Sequence, residues 1–184
     1  MIVFVKINLC GWCFYASCFC GWLLRRRSLS SSELEALLPR LRLFLGDVNV
    51  KKLLKRGAEC IESTGFRVVA LAGQLYVVAG EDVVPALVDG NAAVFEKLPS
   101  VWVDMGAVPH IAAGADVMRP GIVRMDVFEN GDTVVVRDVV HSKAIAVGKA
   151  LLSSSEAASM VKGKVVKTVH YIDDAAWKAA KELL

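Results

Sequence analysis

Leu34, Leu37, Leu38, Leu41 and Leu45 recur with the 3.6-residue period of an amphipathic helix. Ser32-Glu33-Leu34-Glu35 reads as its capping box, the serine hydroxyl accepting the N3 amide while Glu35 reaches back to the cap. Pro39 predicts a kink, Gly46 a C-terminal stop, and Arg40 and Arg42 the wetter side. Residues 47–56, DVNVKKLLKR, fit a strand or a short helix. The period then falls towards two: Phe66–Leu71 and Leu75–Ala79 flank Ala72-Gly73-Gln74, the signature of a hairpin. Glu81–Val88, containing Pro85, reads as a loop and a short edge strand.

From Pro99 the texture changes to short apolar runs separated by turn residues: Val101–Val103, Asp116–Met118, Ile122–Arg124, Thr133–Arg137, Ala144–Val147 and Val165–Tyr171. Such runs predict a small barrel. Two brief helices are expected within it, Pro109–Ala113 stopped by Gly114 and one opened by the box Ser153-Ser154-Ser155-Glu156. A last helix should follow Asp173 or Asp174 as cap, with Ala176, Trp177, Ala180 and Leu184 as its apolar stripe. The fold class is therefore α+β. The expected organisation is an apolar segment at 1–24, a small α+β domain at 25–96 that leans on its neighbour, and a β-rich domain with a C-terminal helix at 97–184.

Hydropathy changes the picture only at the start of the chain. Of 184 residues 55% are hydrophobic, with mean hydropathy +0.48, and much of that excess sits in residues 1–24. This stretch holds one charge, Lys6, and runs into Arg25-Arg26-Arg27, so it is long enough for a membrane anchor with a basic flank. A strand at Ile2–Leu9 packed on the next domain, or a start near Leu23 or Leu24, are the other readings. Cys10, Cys13, Cys18 and Cys20 are too cramped for two separated zinc knuckles, and only Cys60 lies elsewhere. A disulfide scaffold would spread its cysteines, so a cytoplasmic location is expected.

Charge is small in total, +3, but uneven. Residues 25–60 carry nine basic and four acidic groups, residues 61–96 one and five, and residues 97–172 nine and seven. A basic flank beside an acidic one fits RNA, or ordinary solvated faces.

The segments VWVDMGAVPHIAAGADVMRPGIV, FENGDTVVVRD, KAIAVGKALLSSSE and GKVVKTVHYIDDAAW strongly resemble PUA domains, named for pseudouridine synthase and archaeosine transglycosylase, in order over about residues 97–177. The chain looks most like the translation-associated group that contains the malignant T-cell-amplified sequence protein and its archaeal relatives. Residues 25–96 are similar to that group's pre-PUA domain, whereas residues 1–24 depart from the pattern. The resemblance implies a β pseudo-barrel that binds structured RNA, tRNA or rRNA, with the small ribosomal subunit and a second translation factor as partners. The alternative is an accessory RNA-binding subunit of a pseudouridine- or archaeosine-type modification system.

The resemblance places the RNA backbone at a glycine-containing loop, here Ala113-Gly114-Ala115-Asp116 running to Met118-Arg119-Pro120-Gly121, where glycine removes the Cβ that would hold a phosphate away. Arg119 offers a bidentate phosphate contact, or else an ion pair with Asp116. Gly106, Lys143, Lys164 and Lys167 join the candidates, although two lysines three apart on a strand should face opposite sides. Lys51, Lys52, Lys55 and Arg56 would extend the contact into the first domain, because the barrel alone is weakly basic. Gly106, Gly114 and Gly121 also have structural readings as turn and stop residues. His110, His141 and His170 are scattered and read as cap, surface and core-edge residues, and Trp102, Trp177 and Tyr171 as core or as stacking platforms. With no nucleophile–base pair, no P-loop and no metal constellation in the sequence, no catalytic role and no cofactor are expected.

Overall fold

The protein was analysed as a computed structural model that describes residues 24–46, 52–53 and 57–184. The expectations for residues 1–23, and those on Lys51, Lys55 and Arg56, lie outside the described residues. Of the segment 47–56, Lys52 and Leu53 are described and are helical, with Leu53 buried.

Five antiparallel strands build the first sheet: β1 (Arg25–Ser28), β2 (Glu59–Ser63), β3 (Phe66–Leu71), β4 (Gln74–Ala79) and β5 (Asp82–Pro85), in the order β1-β2-β3-β4-β5. The turn between β3 and β4 is Ala72-Gly73, both at positive φ, as a two-residue hairpin of this twist requires. Strands β1 and β2 were not anticipated, because a four-residue arginine-rich strand and a strand with glutamates at 59 and 62 lack an apolar alternation. Helix α1 (Ser31–Leu45) covers one face of the sheet through Leu34, Leu37, Leu41 and Phe44, which pack with Cys60, Val69, Leu71, Tyr76, Val78 and Val83.

The cap of α1 sits two residues earlier than expected. Ser30 Oγ accepts the Glu33 amide, and Glu33 Oε2 accepts the Ser30 amide. Glu33 is chosen over Glu35 because it is also bound by the Arg27 guanidinium, which simultaneously donates to Glu62 Oε1 at 2.6 Å. Gly46 ends the helix at φ 66° as expected, and the helix runs on through Pro39.

The other face of the sheet is equally apolar. Ile61, Val68, Leu75, Val77 and Val84 alternate with the residues under α1 and form a second core with Val135, Val147 and Ala176, Ala179 and Ala180. Both faces of β2–β5 thus carry core residues, while the edge strand β1 stays largely exposed. Chain polarity across this seam is satisfied by specific bonds. Asn91, fully buried, donates to Leu75 O and Ala86 O and accepts from Leu75 N. His170 Nε2 accepts the Leu87 amide at 3.1 Å while its Nδ1 bonds Asp174 Oδ2 at 2.8 Å.

After a short helix α2 (Ala92–Phe95), six strands form a nearly closed barrel in the order β7-β11-β10-β9-β6-β8: β6 (Ser100–Val103), β7 (Val117–Met118), β8 (Ile122–Met125), β9 (Thr133–Asp138), β10 (Ala144–Ala150) and β11 (Lys164–Tyr171). The two outermost strands, β7 and β8, are joined by the single 3-10 turn Arg119–Gly121, which forces the sheet to curl round on itself. Val101, Val103, Ile111, Phe128, Val134, Val136, Ala146 and Val165 fill its interior. Three helices decorate it: α3 (Val108–Ile111), α4 (Ser154–Ser159), capped by Ser153 and Glu156 as expected, and α5 (Ala175–Lys181), capped by Asp174. Leu184 does not join the stripe of α5; the helix ends before it and it is 79% exposed, Ala179 taking its place. Among the described residues no helix is long and apolar enough to cross a membrane.

Candidate nucleic-acid interface

Helix α3 ends in the loop that the sequence singled out. Gly114 adopts φ 89°, and its amide and that of Ala115 close onto Ile111 O and His110 O. A Cβ at this position would stand 2.9 Å from Tyr171 Cε1 and 3.0 Å from its Oη. Glycine is therefore required twice here, for the left-handed backbone and for the phenol packed on it. Gly121 has a similar constraint, since its Cβ would lie 2.9 Å from that of Ala107. Its carbonyl accepts the Asp104 amide, which ties the Met118-Arg119-Pro120-Gly121 turn to the turn containing Gly106.

The loop is braced against β11. Asp116 Oδ1 accepts the Thr168 amide at 3.1 Å, Asp116 Oδ2 accepts from Lys164 Nζ at 2.8 Å, and Thr168 Oγ1 donates to Ala115 O at 2.8 Å. The Lys164 ammonium and the Thr168 amide hold the Asp116 carboxyl below its usual range against the opposing effect of burial. Asp116 thus fixes the loop and leaves the approach to cations. Ala113 and Ala115 are exposed, as are Met118 and Pro120.

Arg119 is not placed as the ion-pair reading expects. Its Nε donates to Ala157 O at 2.8 Å and one Nη to Ile122 O at 3.2 Å, while its amide bonds Gly163 O. Asp116 pairs with Lys164 instead, so the Arg119–Asp116 ion pair is not formed. The guanidinium pins the loop to the end of α4 and is half-buried.

Lys164 and Lys167 are both exposed, contrary to a strict alternation. The register of β11 slips against β7 between Lys164 and Val166 and against β10 at Gly148, so Val165 and Val166 are buried in succession. Gly148 is the sequence signal for this irregularity, because a Cβ there would strike Lys167 O at 2.3 Å. Lys167 Nζ reaches Asp82 Oδ2 of the first sheet at 3.5 Å. Lys143 lies exposed in the turn between β9 and β10, its amide bonded to Asp138 Oδ2. Lys52 is at the far end of α1, lining a cleft with Phe44, Gln74 and Lys97, and is not brought against the loop.

The aromatic candidates are all engaged. Tyr171 packs on Gly114, Trp177 lies under Lys181 Nζ at 3.4 Å, and Trp102 lies under the Arg124 guanidinium at 3.6 Å. Among the described residues there is no cluster of three or more metal-ligating side chains. Thr168, and the contact of Tyr171 with Gly114, were missed by sequence reasoning because the partners are more than fifty residues away, and no local pattern marks such a contact.

A sequence profile described as PUA domain matches residues 99–172. The uncharacterized protein MJ1432 of Methanocaldococcus jannaschii is 34% identical over 156 residues, covering 75% of this chain and 96% of that protein. The chain belongs to the PUA-domain family that contains MJ1432. Translation machinery-associated protein 20 of Eremothecium gossypii is 27% identical over 160 residues, 83% of this chain and 86% of that protein. A probable tRNA pseudouridine synthase B of Pyrococcus horikoshii is 36% identical over 72 residues, 39% of this chain and 21% of the enzyme. Among solved structures, the hypothetical protein PH0734.1 of Pyrococcus horikoshii superposes with TM-score 0.63 at 26% identity, covering 83% of this chain and 98% of that one. The chain is an RNA-binding PUA-domain module.

Proposed function

We propose that this protein is an accessory, non-catalytic RNA-binding module that holds structured RNA, tRNA or rRNA, on the braced loop 113–121. The observation that carries this reading is the clamp itself: Thr168 and Lys164 fix Asp116, Tyr171 closes on Gly114 and Arg119 pins the far end, so the exposed backbone is set before RNA arrives. Preorganisation lowers the ordering cost of binding. Lys143, Lys164 and Lys167 supply phosphate contacts, and A-form RNA is met through its backbone and 2′-hydroxyls. Lys51, Lys52, Lys55 and Arg56 would add contacts from the basic stretch of the first domain.

Two settings suit such a module. Service to an RNA-modification system has the closer sequence support, through the 36% identity to a tRNA pseudouridine synthase B across the barrel. Association with the small ribosomal subunit, beside a second translation factor in the cytoplasm, is favoured by a likeness to translation machinery-associated protein 20 that extends over 83% of the chain. Co-purification separates them: a modification enzyme in one case, small-subunit particles in the other.

Binding itself is tested by titrating tRNA and small-subunit rRNA at two salt concentrations. With three or four phosphate contacts, affinity should fall roughly 20- to 100-fold between 50 and 200 mM salt. Affinity that is absent, or indifferent to salt, overturns the proposal.

A further inference from the structure

Trp102 sits at the middle of an unusual row. On the outer wall of the barrel it pairs in register with Arg124 of β8 on one side and Arg137 of β9 on the other. The Arg124 guanidinium stacks on the indole, and Arg137 is held by Ser100 Oγ at 3.1 Å and Ser142 O at 3.0 Å. The Trp102 Nε1–H, a group that can only donate, is buried with no acceptor, the one such side-chain atom among the described residues. Trp102 and Arg137 line a cleft of about 290 Å³ whose opposite wall is the linker after α2, at Glu96 and Leu98.

The lining offers one unmet donor and one available acceptor. The indole N–H lacks an acceptor, while exposed Asp126 accepts the Ser100 amide at 2.9 Å through Oδ2 and keeps its other oxygen open to solvent. The charges of the lining are Arg137 against Asp126 and Glu96, with Arg124 stacked on the Trp102 indole beside it. A simple anion would gain little from such a site. A flat ring carrying a donor and an acceptor on one edge, with a phosphate attached, would answer every group in it. Glu96, 79% exposed and 3.8 Å from Arg137, is loosely held and free to turn away from an incoming ring.

We propose that this cleft receives one unpaired nucleotide, its base between the linker and the Trp102 row and its phosphate at the rim beside Arg124. The site is separate from the loop 113–121: the loop meets one end of the β6–β8 pair, where Gly121 O accepts the Asp104 amide, whereas the cleft includes Ser100 and Asp126 at the other end. The nucleotide comes either from a single-stranded flank of an RNA held at the loop, a source that rests on the function proposed above, or from solution.

The test uses the full chain labelled with nitrogen-15, with the Trp102 indole resonance assigned by its loss in Trp102→Phe. Nucleoside monophosphates, a blunt RNA hairpin and the same hairpin with an unpaired flank are titrated in turn. The proposal expects the indole resonance to shift saturably with the flanked hairpin, with monophosphates, or with both, and which of them acts names the source. Trp102→Phe should weaken the responding ligand about tenfold; Asp126→Asn provides the same readout should that variant misfold. An indole that stays still while loop amides respond to the blunt hairpin overturns the cleft and leaves the RNA-binding reading standing. An indole that responds to monophosphates while no RNA moves the loop does the reverse, and silence throughout overturns both.

Discussion

Gly114 is the residue on which the loop depends. A side chain there meets the Tyr171 ring at 2.9 Å in a backbone region that costs a substituted residue about 1–2 kcal/mol before any clash. Gly114→Ala should therefore destabilise the fold by about 2–3 kcal/mol, measured by chemical denaturation, and weaken RNA binding as the loop shifts. Unchanged stability would mean that Tyr171 turns aside freely. That Gly114 ends a helix was legible in the sequence, because a stop glycine is a local signal. Its contact with Tyr171 was not, and neither was the use of Arg119 to tie down Ala157 O, thirty-eight residues away. Local rules name the kind of residue a turn needs; they are blind to what the fold brings against it.

Caps show the same division at the scale of elements. Ser153–Glu156 and Asp174 were readable because each is flanked by its own helix, whereas at α1 two boxes competed and Arg27, reaching in from β1, decided between them. Asp174 does more than cap. Its Oδ1 accepts the Trp177 amide at 2.6 Å, and its Oδ2 accepts the Tyr171 amide at 3.0 Å beside the His170 ring. Burial pushes this carboxyl up, but His170 and the two amides together pull it below its usual range. A depressed folded value stabilises above the unfolded carboxylate pKa of about 3.9 and is lost as pH falls through the folded one. The native protein should accordingly lose stability below about pH 4, and Asp174→Asn should lose less over the same interval. At neutral pH Asp174→Ala is expected to cost about 2–4 kcal/mol, one lost cap together with stranded donors on His170 and Tyr171. Parallel acid profiles for native and variant proteins would assign the pH dependence elsewhere.

At the scale of the whole molecule the first sheet and the barrel share a core. Val68, Val77 and Val84 lie with Val135, Val147 and the alanines of α5, and the Leu87–His170 and Lys167–Asp82 contacts cross the same seam. The small size of the first unit made its dependence on a neighbour readable, and the alternating valines of β3 and β4 were visible as strands. Which of their two faces meets the barrel was not visible, because both are equally apolar. Unfolding should be a single transition, with tryptophan fluorescence and far-ultraviolet dichroism giving coincident midpoints. Two separated midpoints would show that the shared core contributes little.

That seam also sets a fixed distance. A flexible tether between the two sheets would let each find its own stretch of a ligand, whereas one continuous core holds the barrel and the first sheet in one body. On the function proposed above, an RNA reaching from the loop at 113–121 onto the first sheet would have to fit that fixed spacing, so lengthening a bound stem by a few base pairs should weaken its binding.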